Sequence, residues 1–251
     1  FVKVLASDFD GTLFFKDETP TIREKDIEAI KKFQAAGNKF GICTGRHLRG
    51  ILDVTKNKID FDFYILNSGC IILDHDCNPI YERWIDYSDA IQVFEKYPEE
   101  SITVVGKNQY IYAYKMNSLW KSNMIKEIKS FDQIDDQQII GFSLHVDSEQ
   151  KARKITHDIN IMDLPIIAYQ NRSDVDCIYR ECSKGTGIDK IKEYYVVEDQ
   201  EMCCIGDSYN DIPMLEASPN SFSFNNSPEE LKKIVPYTLD SLCECIDQIM
   251  E

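Results

Sequence analysis

The chain has 251 residues, long enough for one large domain or two small ones. At 43% hydrophobic and 28% charged it reads as an ordinary soluble globular protein, and no apolar run approaches the ~20 residues that span a bilayer. A net charge of −15 argues against nucleic acid as a partner, although a bound cation and a few basic residues can still reverse the potential locally around a small phosphorylated ligand.

The N-terminus enters a strand directly, with no basic region ahead of a long apolar stretch, so a signal peptide is not expected. The nine cysteines are odd in number and scattered (Cys43, Cys70, Cys77, Cys177, Cys182, Cys203, Cys204, Cys243 and Cys245). They form no Cys-x-x-Cys pair and are not spaced with histidines as zinc ligands. Buried, reduced thiols in a cytoplasmic protein are the expectation.

In chain order, the apolar run Val2-Lys3-Val4-Leu5-Ala6 predicts a buried strand. It runs into Asp8-Phe9-Asp10-Gly11-Thr12-Leu13, which places two carboxylates where a strand ends and a glycine turn begins. Open α/β folds bind ligands at that carboxyl edge of the sheet. Thr21-Ile22-Arg23-Glu24, just after Pro20, predicts a capping box, and Ile27, Ile30 and Phe33 with Ala29 and Ala36 make an apolar helix face that Gly37 ends. A strand over Lys39–Cys43 leads to Thr44-Gly45-Arg46, a helix from about His47 to Lys56, and a third strand over Phe63–Leu66. Strand and helix in alternation imply an α/β fold with a parallel sheet and right-handed crossovers.

From about residue 79 the pattern changes. It predicts a helix over 88–97, strands over 102–105 and 110–114, a helix over 119–129, a strand over 138–146, a helix over 149–160, and strands over 166–169 and 175–179. Paired strands with short links indicate an α+β unit with an antiparallel sheet. An inserted second domain over residues 80–181 follows, with residues 1–79 and 182–251 forming a discontinuous first domain. After Cys182 the first pattern returns: Lys184-Gly185-Thr186-Gly187 opens a helix, the strand Met202–Ile205 ends at Gly206-Asp207-Ser208-Tyr209-Asn210-Asp211, and Phe222–Phe224 is a last short strand before the C-terminal helices. The aromatics Tyr110, Tyr112, Tyr114 and Trp120 read as core and surface of the inserted unit.

Asp8/Asp10, Thr44 and Asp207/Asp211 all follow predicted parallel strands, and Lys184 opens a helix. In a doubly wound sheet all of them can converge on one crevice. Clustered carboxylates suit Mg²⁺, a hard cation that takes oxygen ligands. A transferring phosphoryl group needs its oxygens neutralised, which the cation, Lys184 and turn amides can do. One carboxylate can attack phosphorus, and another can move the proton of the leaving oxygen.

These four motifs, in this order, resemble the haloacid dehalogenase superfamily of phosphohydrolases, and within it the Cof-like branch with a type IIB cap. The resemblance runs nearly end to end, with the inserted domain between the second and third motifs. It implies a Rossmann-like doubly wound core carrying an α+β cap, with the first strand beside the strand that ends at Asp207. It further implies Asp8 as nucleophile, Asp10 as general acid/base, Thr44 as phosphoryl ligand and Lys184 as charge balance. Mg²⁺ would be held by Asp8, the backbone carbonyl of Asp10, and Asp207, with Asp211 supporting. Gly45, Arg46, Asn210 and Asn226 would lie on the substrate side. Arg46 either reaches substrate or pairs with a carboxylate, and His47 reads as a helix-start residue.

Two places depart from the family pattern: Asn67-Ser68-Gly69-Cys70 where relatives often carry Asn-Gly-Ala, and Asn225-Asn226-Ser227 where they often carry Gly-Asn-Ala. The implied function is a Mg²⁺-dependent phosphatase of a small phosphorylated metabolite, acting as a monomer or weak homodimer without nucleic acid or membrane. The alternatives are a sugar phosphomutase using the same intermediate and a non-catalytic phosphometabolite-binding protein.

Overall fold

The computed structural model describes residues 1–16, 21–56, 58–116 and 124–251. They divide into two compact units, Phe1–Glu82 with Ser183–Glu251, and Arg83–Cys182.

The first unit is built on an eight-stranded sheet in the order Tyr237–Leu239, Asn220–Phe224, Met202–Ile205, Val4–Ser7, Lys39–Cys43, Phe63–Leu66, Ile71–Asp74 and Pro79–Glu82. The first six strands are parallel, and the last two turn back antiparallel. Val4–Ser7 is buried along its whole length, as a central parallel strand covered on both faces must be. The helices Lys184–Tyr195 and Ile212–Glu216 pack on one face, where Ile188, Ile191, Met214 and Leu215 meet Val4, Ala6, Cys43 and Cys204. The helices Glu24–Ala35 and Leu242–Met250 pack against one another, the former presenting Ile27, Ile30 and Phe33. Chain order runs outward from Val4–Ser7 to Lys39–Cys43 and Phe63–Leu66 on one side, and outward from the adjacent Met202–Ile205 to Asn220–Phe224 on the other. That reversal of strand order opens a crevice at the carboxyl ends of these strands.

The second unit has one antiparallel sheet in the order Ile125–Ile128, Ile111–Tyr114, Ser101–Gly106, Gln138–His145, Asp174–Tyr179 and Ile166–Asn171, with Ile85–Asp86 pairing onto Gln138–His145. The exception is the parallel pair at its edge, Ile111–Tyr114 with Ile125–Ile128. Helices Tyr87–Lys96 and Glu149–Asn160 supply Phe94, Ala152, Ile155 and Ile159 to its core, and Phe94 meets Phe142 edge to face at 4.9 Å between centroids.

Four expectations change. The capping box at Thr21 does not form: Thr21–Ile22 is a short strand against Phe14–Phe15, and the helix starts after Arg23 without a side-chain cap. Pro20 lies outside the described residues. The helix expected over 119–129 is a strand at Ile125–Ile128, because an edge partner was available and pairing outweighs a weak helical preference. Residues 119–123, with Trp120, lie outside the described residues. The strand Pro79–Glu82 pairs with Ile71–Asp74 and so groups with the first unit, and Tyr237–Leu239 adds an edge strand. Finally, Cys77 is exposed and Cys243 partly so, whereas the other seven free thiols are buried.

Candidate active site

Asp8 follows directly on the central strand, and its N–H donates to the carbonyl of Ile205 at 2.9 Å, so it keeps the strand's register at the sheet edge. Beyond it the chain turns sharply. Gly11 stands at φ +87°, and a Cβ there would lie 2.5 Å from Asp207 Oδ2. Only glycine permits both the conformation and the approach of Asp207 to this turn. Thr12 uses the proximity: its hydroxyl donates to Asp207 Oδ1 at 2.9 Å.

Lys184 is the first residue of its helix. Ser183 caps it in a reciprocal capping box with Thr186, which aims the lysine inward at the start of the helix. The Lys184 Nζ donates to Asp8 Oδ1 at 2.6 Å and to Asp211 Oδ1 at 2.5 Å. All three side chains are buried, at 2%, 7% and 0% exposure. Burial works against the ammonium, but the two carboxylates outweigh it and raise the lysine's pKa.

Asp211 is held from its other oxygen as well, since Oδ2 accepts the N–H groups of Asp207 and Ser208, each at 3.0 Å. A Cβ at Gly206 would come within 2.6 Å of the Asp211 side chain, so this loop also closes on a glycine. Asp211 thus clasps its own loop and ties it to Lys184. Asp8, Asp207 and Asp211 each offer a carboxylate oxygen within 4.8 Å of the others, and they form the one such group among the described residues. Burial pushes the Asp8 carboxyl up to about 8, opposed by Lys184 and reinforced by Asp211 and Asp207. Burial and then Asp211 also raise Asp207. Crowded, oxygen-only and electrostatically unfavourable when ionised, this set fits a hard divalent cation. With Asp211 engaged on both oxygens, Asp8 and Asp207 are the better direct ligands.

Thr44 ends the neighbouring strand and is buried. Its Oγ1 accepts the N–H of Arg46 at 3.1 Å, and its backbone carbonyl accepts from Ser68 N at 3.0 Å. The departure at Asn67-Ser68-Gly69 has a conformational counterpart. Asn67 and Ser68 have φ of 48° and 53° and Gly69 96°, a left-handed run that brings Ser68 Oγ within 3.5 Å of where a Cβ on Gly45 would lie. Ser68 therefore sits against the exposed Gly45 backbone.

The Asp10 carboxylate turns to Arg46, which donates Nε to Oδ2 at 2.7 Å and Nη2 to Oδ1 at 2.6 Å. Lys16 adds a weaker contact at 3.2 Å. Although burial opposes it, these donors hold the Asp10 carboxyl below the usual carboxylate range. Asn210 is exposed and accepts from the Ser208 hydroxyl. Asn226 lies exposed in the turn after Asn220–Phe224. Among the described residues no hydrogen bond joins either to the carboxylate cluster. His47 caps the helix Leu48–Thr55, accepting from Gly50 N, as a helix-start residue should.

Two contributors were not singled out from sequence. Thr12 lies within the first motif, and its spacing from the turn glycine is the signal that could have marked it. Cys43 packs under the site, with its Sγ 3.9 Å from the Lys184 carbonyl. No sequence signal distinguishes it from the other core thiols.

A family model of haloacid dehalogenase-like hydrolases matches residues 5–245. A Haemophilus influenzae protein whose name assigns it provisionally to the phosphatases is 25% identical, covering 92% of this chain and 90% of its own length. A 5-amino-6-(5-phospho-D-ribitylamino)uracil phosphatase of Bacillus subtilis is 21% identical, covering 97% of this chain and 92% of its own. Among solved structures, a subclass IIB sugar phosphatase superposes with a TM-score of 0.76 at 22% identity, over 97% of this chain and 95% of the other, and so shares the fold.

Proposed function

Since the chain belongs to the haloacid dehalogenase-like hydrolases, we propose that it is a Mg²⁺-dependent phosphatase of a small phosphorylated metabolite, working through an aspartyl-phosphate at Asp8. The observation that carries this reading is the buried Lys184 ammonium bridging Asp8 and Asp211, beside Asp207. A pure binding site for phosphate has no need to bury carboxylates against its anion, whereas a carboxylate nucleophile needs a fixed cation to stay ionised next to it.

In the first half-reaction Asp8 attacks phosphorus, the Asp8–phosphorus bond forms, and the bond to the leaving oxygen breaks. Asp10, which must enter this step protonated although the Arg46 fork favours its ionised form, gives that oxygen its proton. In the second, Asp10 takes a proton from water as the water attacks the aspartyl-phosphate, which releases phosphate and restores Asp8. Lys184 offsets charge on Asp8 and on the phosphoryl oxygens, and the Thr44 hydroxyl, oriented by the Arg46 N–H, donates to one of those oxygens. A divalent cation held by Asp8, the Asp10 backbone carbonyl and Asp207, with Asp211 supporting, would neutralise the remaining phosphoryl charge.

The Arg83–Cys182 unit is assigned the cap's role of selecting the leaving group. Relatives named as phosphatases of a phosphoribityl compound and of sugars support a polyol or sugar phosphate as the substrate class. A phosphate-release screen over sugar and polyol phosphates, with and without Mg²⁺, tests the reading. Turnover should require the cation, and Asp8→Asn should abolish it while leaving the fold intact. Normal turnover by Asp8→Asn would refute the covalent route. An isomeric phosphate in place of free phosphate would assign a phosphomutase instead.

A further inference from the structure

We propose that Arg46 is a positioning residue that fixes the carboxyl group of Asp10 and acts on the leaving group only through it, rather than binding substrate. The proposal rests on the role given above to Asp10.

Each of the three guanidinium nitrogens of Arg46 has a protein partner. Nε and Nη2 meet the two oxygens of Asp10 at 2.7 and 2.6 Å, and Nη1 donates to the Gly50 carbonyl at 3.0 Å. The guanidinium carbon stands 5.0 Å from the centroid of Phe9 and 5.4 Å from that of Phe14, and these rings stack 5.4 Å apart. Its backbone is tied too, through N–H to Thr44 Oγ1 and through its carbonyl to Asn67 N–H. A residue reaching for a variable ligand would keep its fork open, whereas here the fork is closed on a carboxylate in the two-pronged geometry that only guanidinium supplies.

Asp10 needs such a partner. Its side chain is 38% exposed, and its other cation, Lys16, is 67% exposed, so that contact is weak. Without Arg46 the carboxyl would sample its rotamers in water, and proton transfer to a leaving oxygen depends on placement within hydrogen-bond reach. Phe9 and Phe14 add a second link. Phe9 lies between Asp8 and Asp10 in sequence and is fully buried, so the ring that backs Arg46 is part of the turn that carries both acids.

The test compares kcat/KM, which reports transfer to Asp8, on two substrates: p-nitrophenyl phosphate, whose leaving group needs no proton, and glycerol phosphate, whose leaving group does. Arg46→Gln should lower kcat/KM on glycerol phosphate about 100-fold, chiefly through kcat, and on p-nitrophenyl phosphate less than about threefold. Arg46→Lys, which keeps the charge and loses the fork, should show the same selective pattern and guards against misfolding of Arg46→Gln. In an Asp10→Asn background, Arg46→Gln should add nothing. Equal losses on both substrates, additivity with Asp10→Asn, or a rise in KM with kcat unchanged would overturn the proposal. If Asp10→Asn itself lost activity equally on both substrates, the acid role of Asp10 would fall, and this proposal with it. A selective loss in Asp10→Asn with a non-selective loss in Arg46→Gln would overturn only the role of Arg46.

Discussion

Asp26 shows how a single buried acid outside the carboxylate cluster can shape stability. It is fully buried on the helix Glu24–Ala35, where its Oδ1 accepts the N–H of Cys243 at 2.9 Å, while Oδ2 has no partner among the described residues. The bond satisfies a free donor in the first turn of the helix Leu242–Met250 and joins two helices that pack together. Burial raises the Asp26 pKa, with Cys243 and Arg23 opposing. Between the unfolded value near ~4 and the raised native value, the folded protein holds the proton more tightly than the unfolded chain. The contribution to stability is therefore complete below the unfolded value and is lost as pH rises through the native one. Asp26→Asn keeps an acceptor for Cys243 and removes the titration. Melting temperatures across that window should fall less steeply with pH in the variant than in the parent, and parallel curves would place the dependence elsewhere.

At the scale of elements, helix starts do as much for the site as the strands do. Ser183 accepts from Thr186 N at 3.0 Å, and Thr186 Oγ1 accepts from Ser183 N at 2.9 Å. This box sets the first turn from which Lys184 reaches Asp8 and Asp211. Ser183→Ala should cost about 1 kcal/mol in urea unfolding. It should also lower phosphatase turnover beyond what the loss of folded protein explains, and Ser183→Thr should restore both. A full loss of stability with unchanged turnover would show that Lys184 holds its place without the cap. The strand Ile125–Ile128 shows the opposite balance. Its four residues carry no decisive local signal, and its identity comes from pairing with Ile111–Tyr114, helped by the Lys126 ammonium 3.9 Å from the centroid of the Tyr110 ring and bonded to Asp135 at 3.0 Å.

Over the whole molecule, each unit has a core of its own. The Arg83–Cys182 core centres on Phe94 and Phe142 with Ile102, Val104 and Leu144, and the first unit's core on Val4, Ala6, Ile65 and Ile188. Phe94→Ala should cost the second unit about 3–5 kcal/mol. Hydrogen exchange should quicken across Ser101–Gly106 and Gln138–His145 while Val4–Ser7 keeps its protection. Uniform acceleration in both units would show that they unfold as one.

Much of the candidate site is legible in the sequence because its spacing is local. Asp8 and Asp10 flank one residue of one turn, Asp207 and Asp211 share a loop, and Lys184 follows its own cap, so short motifs encode them and strand–helix alternation encodes the parallel core. What sequence could not assign was which partner each charged group would take. Arg46 had two open roles until the fold set its guanidinium against Asp10, 36 positions earlier in the chain. Thr12 gained its role from a loop 195 positions away. An edge strand became a strand only because a neighbour offered its backbone. Local order depends on covalent spacing and turn chemistry, which sequence carries directly. Pairings between distant charges depend on which strand lies beside which, and tertiary structure alone decides that.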